Sequence, residues 1–106
     1  MISQDNQALG LNKLQSEVDL WIASIGKGYF SEMTNLANLM EEVGEVARLM
    51  SRTYGQQSFK KGKEPDDIKA EIADELCDVM FIVTCLANQM DIDLETAMQK
   101  NLAKKT

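Results

Sequence analysis

The sequence of 106 residues contains no histidine. This absence excludes catalytic triads that depend on histidine and zinc sites that use histidine ligands. It also excludes the di-iron carboxylate bundles, because these need a Glu-x-x-His pair on each of two helices. The chain is rich instead in carboxylates, with 17 aspartates and glutamates.

Basic residues and long apolar runs are scarce as well. Eleven lysines and arginines against 17 acids give a net charge of -6, which argues against nucleic acid or an anionic membrane as a partner. No apolar run approaches the roughly 20 residues of a membrane span, and the N-terminus MISQDNQALG lacks the layout of a signal peptide. A cytoplasmic protein is the simplest interpretation.

The chain has only two cysteines, Cys77 and Cys85. On one helix they would lie about 12 Å apart along the axis, which is too far for a disulfide. We therefore predict two small buried apolar residues and no redox pair.

Apolar residues recur at steps of three and four along most of the chain, which is the period of amphipathic helices. Ser31 and Asp93 are predicted N-caps, and Gly55 is predicted to end a helix. No segment alternates with period two, so no strand is expected. The predicted fold is an all-α bundle of four or five helices in one domain over residues 1–106. It is expected to be oligomeric, because a chain this short leaves much apolar surface uncovered. The predicted helices cover residues 11–25, 32–54, 65–90 and 94–105.

The second predicted helix contains acids within an apolar pattern, LMEEVGEVARLM at residues 39–50. A helical projection places five residues on a second stripe, which is polar with an apolar end: Asn35, Asn38, Glu42, Glu45 and Leu49. Gly44 costs about 1 kcal/mol in helix propensity relative to alanine, so we expect another helix or a ligand to approach there. A separate apolar stripe is expected to pack in the core through Leu39, Val43, Val46 and Met50.

The third predicted helix carries Glu75 and Asp78 on a stripe that continues into an apolar segment, VMFIVTCLA. The acids on each of the two helices are spaced i, i+3 and so lie on neighbouring turns. Buried like charges are costly unless a cation neutralises them. Two such helices face to face would offer four carboxylates, a ligand set that favours Mg²⁺ or Mn²⁺. The alternative is a solvated acidic face, which is the usual place for Glu and Asp.

EEVGEVARLM followed by EIADELCDVMFIVTCLANQMDIDLETA resembles the MazG-like nucleotide pyrophosphohydrolases, over about residues 11 to 105. The signature of that family is EExxE and then ExxD on the next long helix. Its acids correspond here to Glu41, Glu42, Glu45, Glu75 and Asp78. The resemblance implies an all-α enzyme that hydrolyses a nucleoside triphosphate between its α- and β-phosphates and works as a dimer or a dimer of dimers. It also implies that the last four of these acids hold Mg²⁺.

The resemblance leaves the proton acceptor open between Glu41 and a metal-ligating carboxylate such as Glu42. Lys61, in the loop before the third helix, is a candidate phosphate contact, with plain solubility as the alternative. Lys104 is another, since relatives carry a lysine there in a C-terminal K-x-x-N-x-R-like element that is incomplete here.

Four further residues are candidate substrate contacts. Asn38 shares the stripe of Glu42, and an aromatic ring would suit stacking on a nucleobase. Packing in the core is the alternative role for each ring. The candidates are Asn38, Trp21, Tyr29 and Phe30.

The sequence thus predicts a Mg²⁺-dependent enzyme that hydrolyses (deoxy)nucleoside triphosphates to the monophosphate and pyrophosphate and clears unwanted nucleotides. One alternative is an enzyme that acts on a related pyrophosphate such as phosphoribosyl-ATP, because that family shares the acid pattern. Another is a non-catalytic helical oligomer whose acids bind a structural cation or a partner.

Overall fold

A computed structural model of the protein describes residues 8–55, 59–62 and 67–106. Within these ranges the chain forms helices and no strand, which confirms the all-α prediction. The predicted restart of the third helix at Pro65 and Asp66 lies outside the described residues, whereas Asp67, which was expected in the first turn, is the N-cap of a helix that begins at Ile68. The helices are α1 (Leu11–Ser24), α2 (Glu32–Tyr54), α3 (Ile68–Gln89) and α4 (Leu94–Lys105).

The helix ends follow local capping chemistry. The Ser31 hydroxyl accepts a hydrogen bond from the backbone N–H of Thr34 at 3.1 Å, and the Asp93 carboxylate accepts from the N–H groups of Glu95 and Thr96. Gly55 is the C-cap of α2. Each side-chain cap typically contributes about 1 kcal/mol, so the predicted caps fix where α2 and α4 begin.

The helices pack unevenly. Helix α2 packs most extensively along α3, whereas α1 packs against α3 and α4. Hydrogen bonds between polar side chains connect α1, α3 and α4. The Gln15 side chain donates to the Asn88 side chain at 2.9 Å and accepts from the Leu94 N–H at 2.9 Å. The Asn88 side chain donates to the main-chain carbonyl of Gln15 at 3.0 Å.

The core of the single chain is small. Its centre is a cluster of Val18, Ile22 and Cys85. Trp21 and Phe81 pack against this cluster, and their two rings meet edge to face with centroids 5.6 Å apart. The radius of gyration is 16.2 Å, against about 13 Å for a compact chain of 100 residues. The chain therefore buries little apolar surface on its own. Within the described ranges, the buried apolar residues are Val18, Ile22, Leu49, Cys85 and Ala87.

Helix α2 turns its polar stripe, and not its apolar stripe, towards α3. Asn35 is buried, and Glu42 and Glu45 are half-buried. Val43 and Met50, which were expected in the core, are 48% and 41% exposed. The core assignment of these two residues is therefore wrong for the single chain. A projection separates two stripes but does not say which of them meets a neighbour inside the same chain.

Two smaller expectations also need correction. Both cysteines are free, as predicted, but Cys77 is exposed and only Cys85 is buried. A Cβ placed on Gly44 would meet no atom within 4 Å, so no part of the described chain approaches this glycine closely. Among the described residues, no helix is both long and apolar enough to cross a membrane.

Candidate metal centre and adjoining cleft

Three carboxylates meet where α2 packs on α3. Glu42 comes from α2, and Glu75 and Asp78 come from neighbouring turns of α3. One carboxylate oxygen from each can be chosen so that all lie within 4.8 Å of one another, and all three side chains are half-buried. Oxygen atoms grouped in this way can share one divalent cation. We call these three residues the carboxylate cluster.

Glu75 is the acid of the carboxylate cluster with the most strongly raised pKa. Its Oε2 is buried and has no hydrogen-bond partner among the described residues. A hydrogen bond with Glu42 and burial raise the pKa of Glu75 to about 7, and the charges of Glu42, Asp78 and Glu45 add to this effect. Two carboxylates can share a hydrogen bond only when one of them is protonated, so this contact favours the neutral acid. The donor set therefore fits a hard divalent cation, which would give the orphaned oxygen a partner and neutralise the charge.

Asp78 is perturbed in the same direction. Burial raises its pKa, and the nearby charges of Asp74 and Glu42 raise it further. Repulsion among these acids disfavours full ionisation of the metal-free site. A divalent cation would reverse that preference, because an opposite charge nearby favours the ionised form.

Glu45 and Glu41 lie outside the carboxylate cluster. Glu45 forms an ion pair with Arg48 at 3.0 Å, and its side chain is 45% exposed. An exposed ion pair of this kind contributes at most about 1 kcal/mol to stability, so Glu45 can leave Arg48 at little cost. Glu41 is exposed and is not part of the cluster. The structure thus brings together three of the four predicted ligands.

A cleft of about 410 Å³ adjoins the carboxylate cluster. Glu42 and Asp78 line it, together with the rings of Phe81 and other aromatic residues and with two asparagine side chains. All four residues predicted to contact substrate line this cleft, namely Trp21, Tyr29, Phe30 and Asn38. Rings, amides and acids therefore share one open space.

The two predicted phosphate contacts do not line the cleft. Lys61 is exposed in a turn between α2 and α3, and Lys104 is exposed in the last turn of α4. In the single chain neither is brought to the carboxylate cluster. Their roles remain predictions.

Asn35 and Phe81, which were not predicted to contact substrate, also line the cleft. The helical projection had placed Asn35 on the polar stripe of α2, two turns before Glu42, but no role was assigned to it. The sequence could not predict which way Phe81 points, because Phe81 lies in the segment of α3 that is apolar nearly all round.

The α1–α2 loop is fixed against α3 through Tyr29. Asn88 donates to the Tyr29 hydroxyl at 2.9 Å, and that hydroxyl donates to the Asp19 carboxylate. Burial and then the hydrogen bond to Asp19 raise the pKa of Tyr29 to about 12. The hydroxyl is thus committed on both sides, and Tyr29 offers the cleft mainly its ring.

The match to a family model decides the family. The model of the MazG nucleotide pyrophosphohydrolase domain matches residues 30–106. The chain belongs to the MazG nucleotide pyrophosphohydrolase family. This membership supports a nucleotide pyrophosphohydrolase activity in general terms, and the carboxylate cluster agrees with the divalent-metal dependence typical of MazG enzymes.

Individual proteins and solved structures are similar to this chain over most of its length. YpjD of Bacillus subtilis (strain 168) is 40% identical over 94 residues, which cover 89% of this chain and 81% of YpjD. Its crystal structure matches with a TM-score of 0.78 at 37% identity and covers 92% of this chain and 96% of that one. The crystal structure of the Bacillus-conserved MazG protein, a nucleotide pyrophosphohydrolase, matches with a TM-score of 0.77 at 36% identity and covers 94% and 93%.

A phage protein is a more partial match. The Gene 37 protein of Mycobacterium phage L5 is 37% identical over 67 residues, which cover 62% of this chain but only 55% of the phage protein.

We expect Glu75→Gln to flatten the pH dependence of stability in the metal-free protein. The pKa of Glu75 rises from 4.5 to about 7 in the folded chain, so between these values the folded chain holds a proton that the unfolded chain has lost. The contribution of Glu75 to stability therefore falls as the pH rises through this window. Urea unfolding in a chelator at about pH 5 and about pH 7.5 measures the difference for each protein.

The matched control for this experiment is Glu71→Gln, at an exposed acid one turn earlier on α3. It should keep the pH slope of the wild-type protein. A wild-type slope in Glu75→Gln as well would mean that Glu75 ionises normally in the folded chain.

Proposed function

We propose that this protein hydrolyses a (deoxy)nucleoside triphosphate between its α- and β-phosphates, with Mg²⁺ as cofactor, and releases the monophosphate and pyrophosphate. The observation that carries this proposal is the carboxylate cluster beside a cleft lined by rings and amides. Membership of the MazG family and the likeness to a solved nucleotide pyrophosphohydrolase support it. Clearing unwanted nucleotides from the cytoplasm would be the biological role.

Glu42, Glu75 and Asp78 would hold the metal. Glu45 would complete the set by leaving its exposed pair with Arg48. Carboxylate oxygens suit Mg²⁺, and Mn²⁺ accepts the same ligands. When bound, such a cation neutralises phosphate charge and lowers the pKa of a water molecule.

Among the two predicted proton acceptors, we assign the role to Glu42. A general base must come within hydrogen-bond reach of the water whose proton it takes. Glu42 lines the cleft, whereas Glu41 is exposed and does not line it. Glu42 would therefore both hold the cation and accept the proton.

The aromatic part of the cleft would hold the base. Trp21, Tyr29 and Phe30 offer ring faces, and Asn38 offers an amide for hydrogen bonding. Lys61 and Lys104 would have to reach the phosphates from outside the cleft.

We also propose that residues 1–106 form one domain, although the family model begins at residue 30. Helix α1 packs on α3 and α4, and it supplies Trp21 and Ile22 to the cleft. The solved structures cover 92% and 94% of the chain, so most of α1 falls within those matches.

Self-association would cover the apolar face that the single chain leaves exposed. Exposed apolar side chains of α2 and α3 make up this face, which we call the outer apolar face. Met40 is 70% exposed within it, and Gly44 lies one turn further with open space above it. A second copy packed there would give the chain the core that it lacks. The face consists of Met33, Leu36, Met40, Val43, Met50, Leu76, Met80 and Val83.

We expect Met40→Glu to convert an oligomer into a smaller species. In an isolated chain the change would alter stability by less than about 0.5 kcal/mol, because Met40 is on the surface. Placed in a dimer interface, it would bury an unpaired charge. Light scattering after size-exclusion chromatography gives the mass of each protein.

Met98→Glu is the matched control for Met40→Glu, since Met98 is an exposed methionine of α4 outside the outer apolar face. It should keep the wild-type mass. A monomeric wild-type protein would disprove self-association, and an unchanged mass in Met40→Glu would place the interface elsewhere.

We expect Asp78→Asn to lower pyrophosphate release by about 100-fold or more. Loss of a group that only supports a metal ligand costs 10- to 100-fold in other metalloenzymes, so loss of a ligand should cost at least the upper value. The assay measures pyrophosphate release from the eight common (deoxy)nucleoside triphosphates with Mg²⁺.

The control for Asp78→Asn is Glu71→Gln on the same helix, which should keep wild-type turnover. Full turnover in Asp78→Asn would remove this residue from the metal site. If wild-type protein hydrolysed phosphoribosyl-ATP but none of the eight nucleotides, the related pyrophosphohydrolase activity would replace this proposal. No turnover of either kind would favour the non-catalytic oligomer.

A further inference from the structure

A relay of hydrogen bonds fixes the side-chain amide of Asn35. The main-chain carbonyl of Phe30 accepts a hydrogen bond from Gln89 Nε2 at 2.6 Å. Gln89 Oε1 in turn accepts from Asn35 Nδ2 at 2.7 Å. Asn35 is 5% exposed and lines the cleft, whereas Gln89 does not line it.

The orientation of both amides follows from the end of this relay. A side-chain amide can present either its oxygen or its nitrogen, but a main-chain carbonyl can only accept. Gln89 must therefore turn its nitrogen to Phe30 and its oxygen to Asn35. Asn35 must then turn its nitrogen to Gln89, because the opposite orientation would set two oxygens against each other.

The oxygen of the Asn35 side chain opens onto the cleft. No hydrogen bond within the described residues reaches Asn35 Oδ1. Among these residues, Glu75 Oε2 is the side-chain oxygen that is both buried and without a hydrogen-bond partner. Asn35 Oδ1 also has no partner but is not such a buried atom, so it is accessible to solvent. The open space that Asn35 lines is the cleft. The cleft thus contains a hydrogen-bond acceptor that cannot turn into a donor.

The other uncharged polar groups of the cleft lack this property. The Tyr29 hydroxyl is committed to Asp19 and Asn88. No hydrogen bond within the described part of the chain fixes the amide of Asn38, so it can adapt to either kind of base edge.

We propose that Asn35 selects substrates whose base carries an exocyclic amino group, such as cytosine or adenine, over bases with an oxo group in that position. This inference rests on the proposed nucleotide hydrolysis. An amino group projects from the ring and donates freely to a fixed acceptor. An oxo group would set its own lone pairs against Asn35 Oδ1 and leave both oxygens unsatisfied.

The test compares matched substrates that differ only in this group, dCTP with dUTP and dATP with dITP. In wild-type protein with Mg²⁺, we expect kcat/KM for the amino member to exceed that for the oxo member by about tenfold in at least one pair, the scale of one hydrogen bond gained against one left unmade. Equal values in both pairs, or preference for the oxo member, would overturn the proposal.

Gln89→Met tests the relay at a residue that does not itself line the cleft, and it also releases the main-chain carbonyl of Phe30. It removes both hydrogen bonds of Gln89 and frees the Asn35 amide to turn, so the amino-to-oxo ratio should fall towards one. Asn35→Ala should lower it as well, and Gln89→Met decides the matter if that variant does not fold. Gln99→Met, the same change at an exposed position of α4, should keep the wild-type ratio. An unchanged ratio in Gln89→Met would show that the relay does not set specificity.

Binding separates failure of this proposal from failure of the proposed hydrolysis. Calorimetric titration with dCMP, dUMP, dAMP and dIMP needs no turnover. If no triphosphate were hydrolysed but an amino monophosphate bound more tightly and lost that advantage in Gln89→Met, the assignment of Asn35 would stand alone. If none of the four bound and no triphosphate were hydrolysed, the assignment would fall with the activity.

Discussion

Repulsion among carboxylates at the contact of α2 with α3 shapes much of this molecule. Glu42, Glu75 and Asp78 lie where two amphipathic helices would ordinarily bury leucines, and one oxygen of Glu75 has no partner among the described residues. Such a contact is unfavourable in the metal-free chain because like charges are held together away from water. Protons relieve it at low pH, and a divalent cation would relieve it at neutral pH. Cation binding and helix packing are therefore coupled through the same three side chains.

The polar contact with α3 also explains why α2 leaves apolar side chains outside. The two stripes lie on different sides of α2, and the stripe that carries Asn35, Glu42 and Glu45 faces α3. The apolar stripe with Met40 and Val43 must then point away from the rest of the chain. A small core, an extended shape and exposed apolar side chains along α2 follow from this single choice, and the proposed self-association would cover those side chains.

The sequence was sufficient where a local rule decides the outcome. Capping chemistry predicted the starts of α2 and α4. The i, i+3 spacing put two acids on neighbouring turns of each helix, and of the four acids that were expected to meet, Glu42, Glu75 and Asp78 do so. It was insufficient where the outcome depends on competition between partners. Periodicity cannot say that Val43 points outward or that Glu45 pairs with Arg48, its neighbour on the next turn. Periodicity placed Asn35 on the polar stripe but could not assign it a role, because that role depends on contact with Gln89, which is 54 positions away.

Polar networks take over positioning that a larger core would otherwise provide. The loop between α1 and α2 carries Tyr29 and Phe30 to the cleft, and hydrogen bonds from consecutive residues of α3, Asn88 and Gln89, hold it there. Apolar packing tolerates small rotations of its members, whereas a hydrogen bond imposes both a distance and a direction. A network of this kind therefore fixes which atoms face the open space as well as where the loop lies. The described part of the chain buries few apolar side chains, so the orientation of the polar groups in the cleft depends on the amides of Asn88 and Gln89, which do not line it.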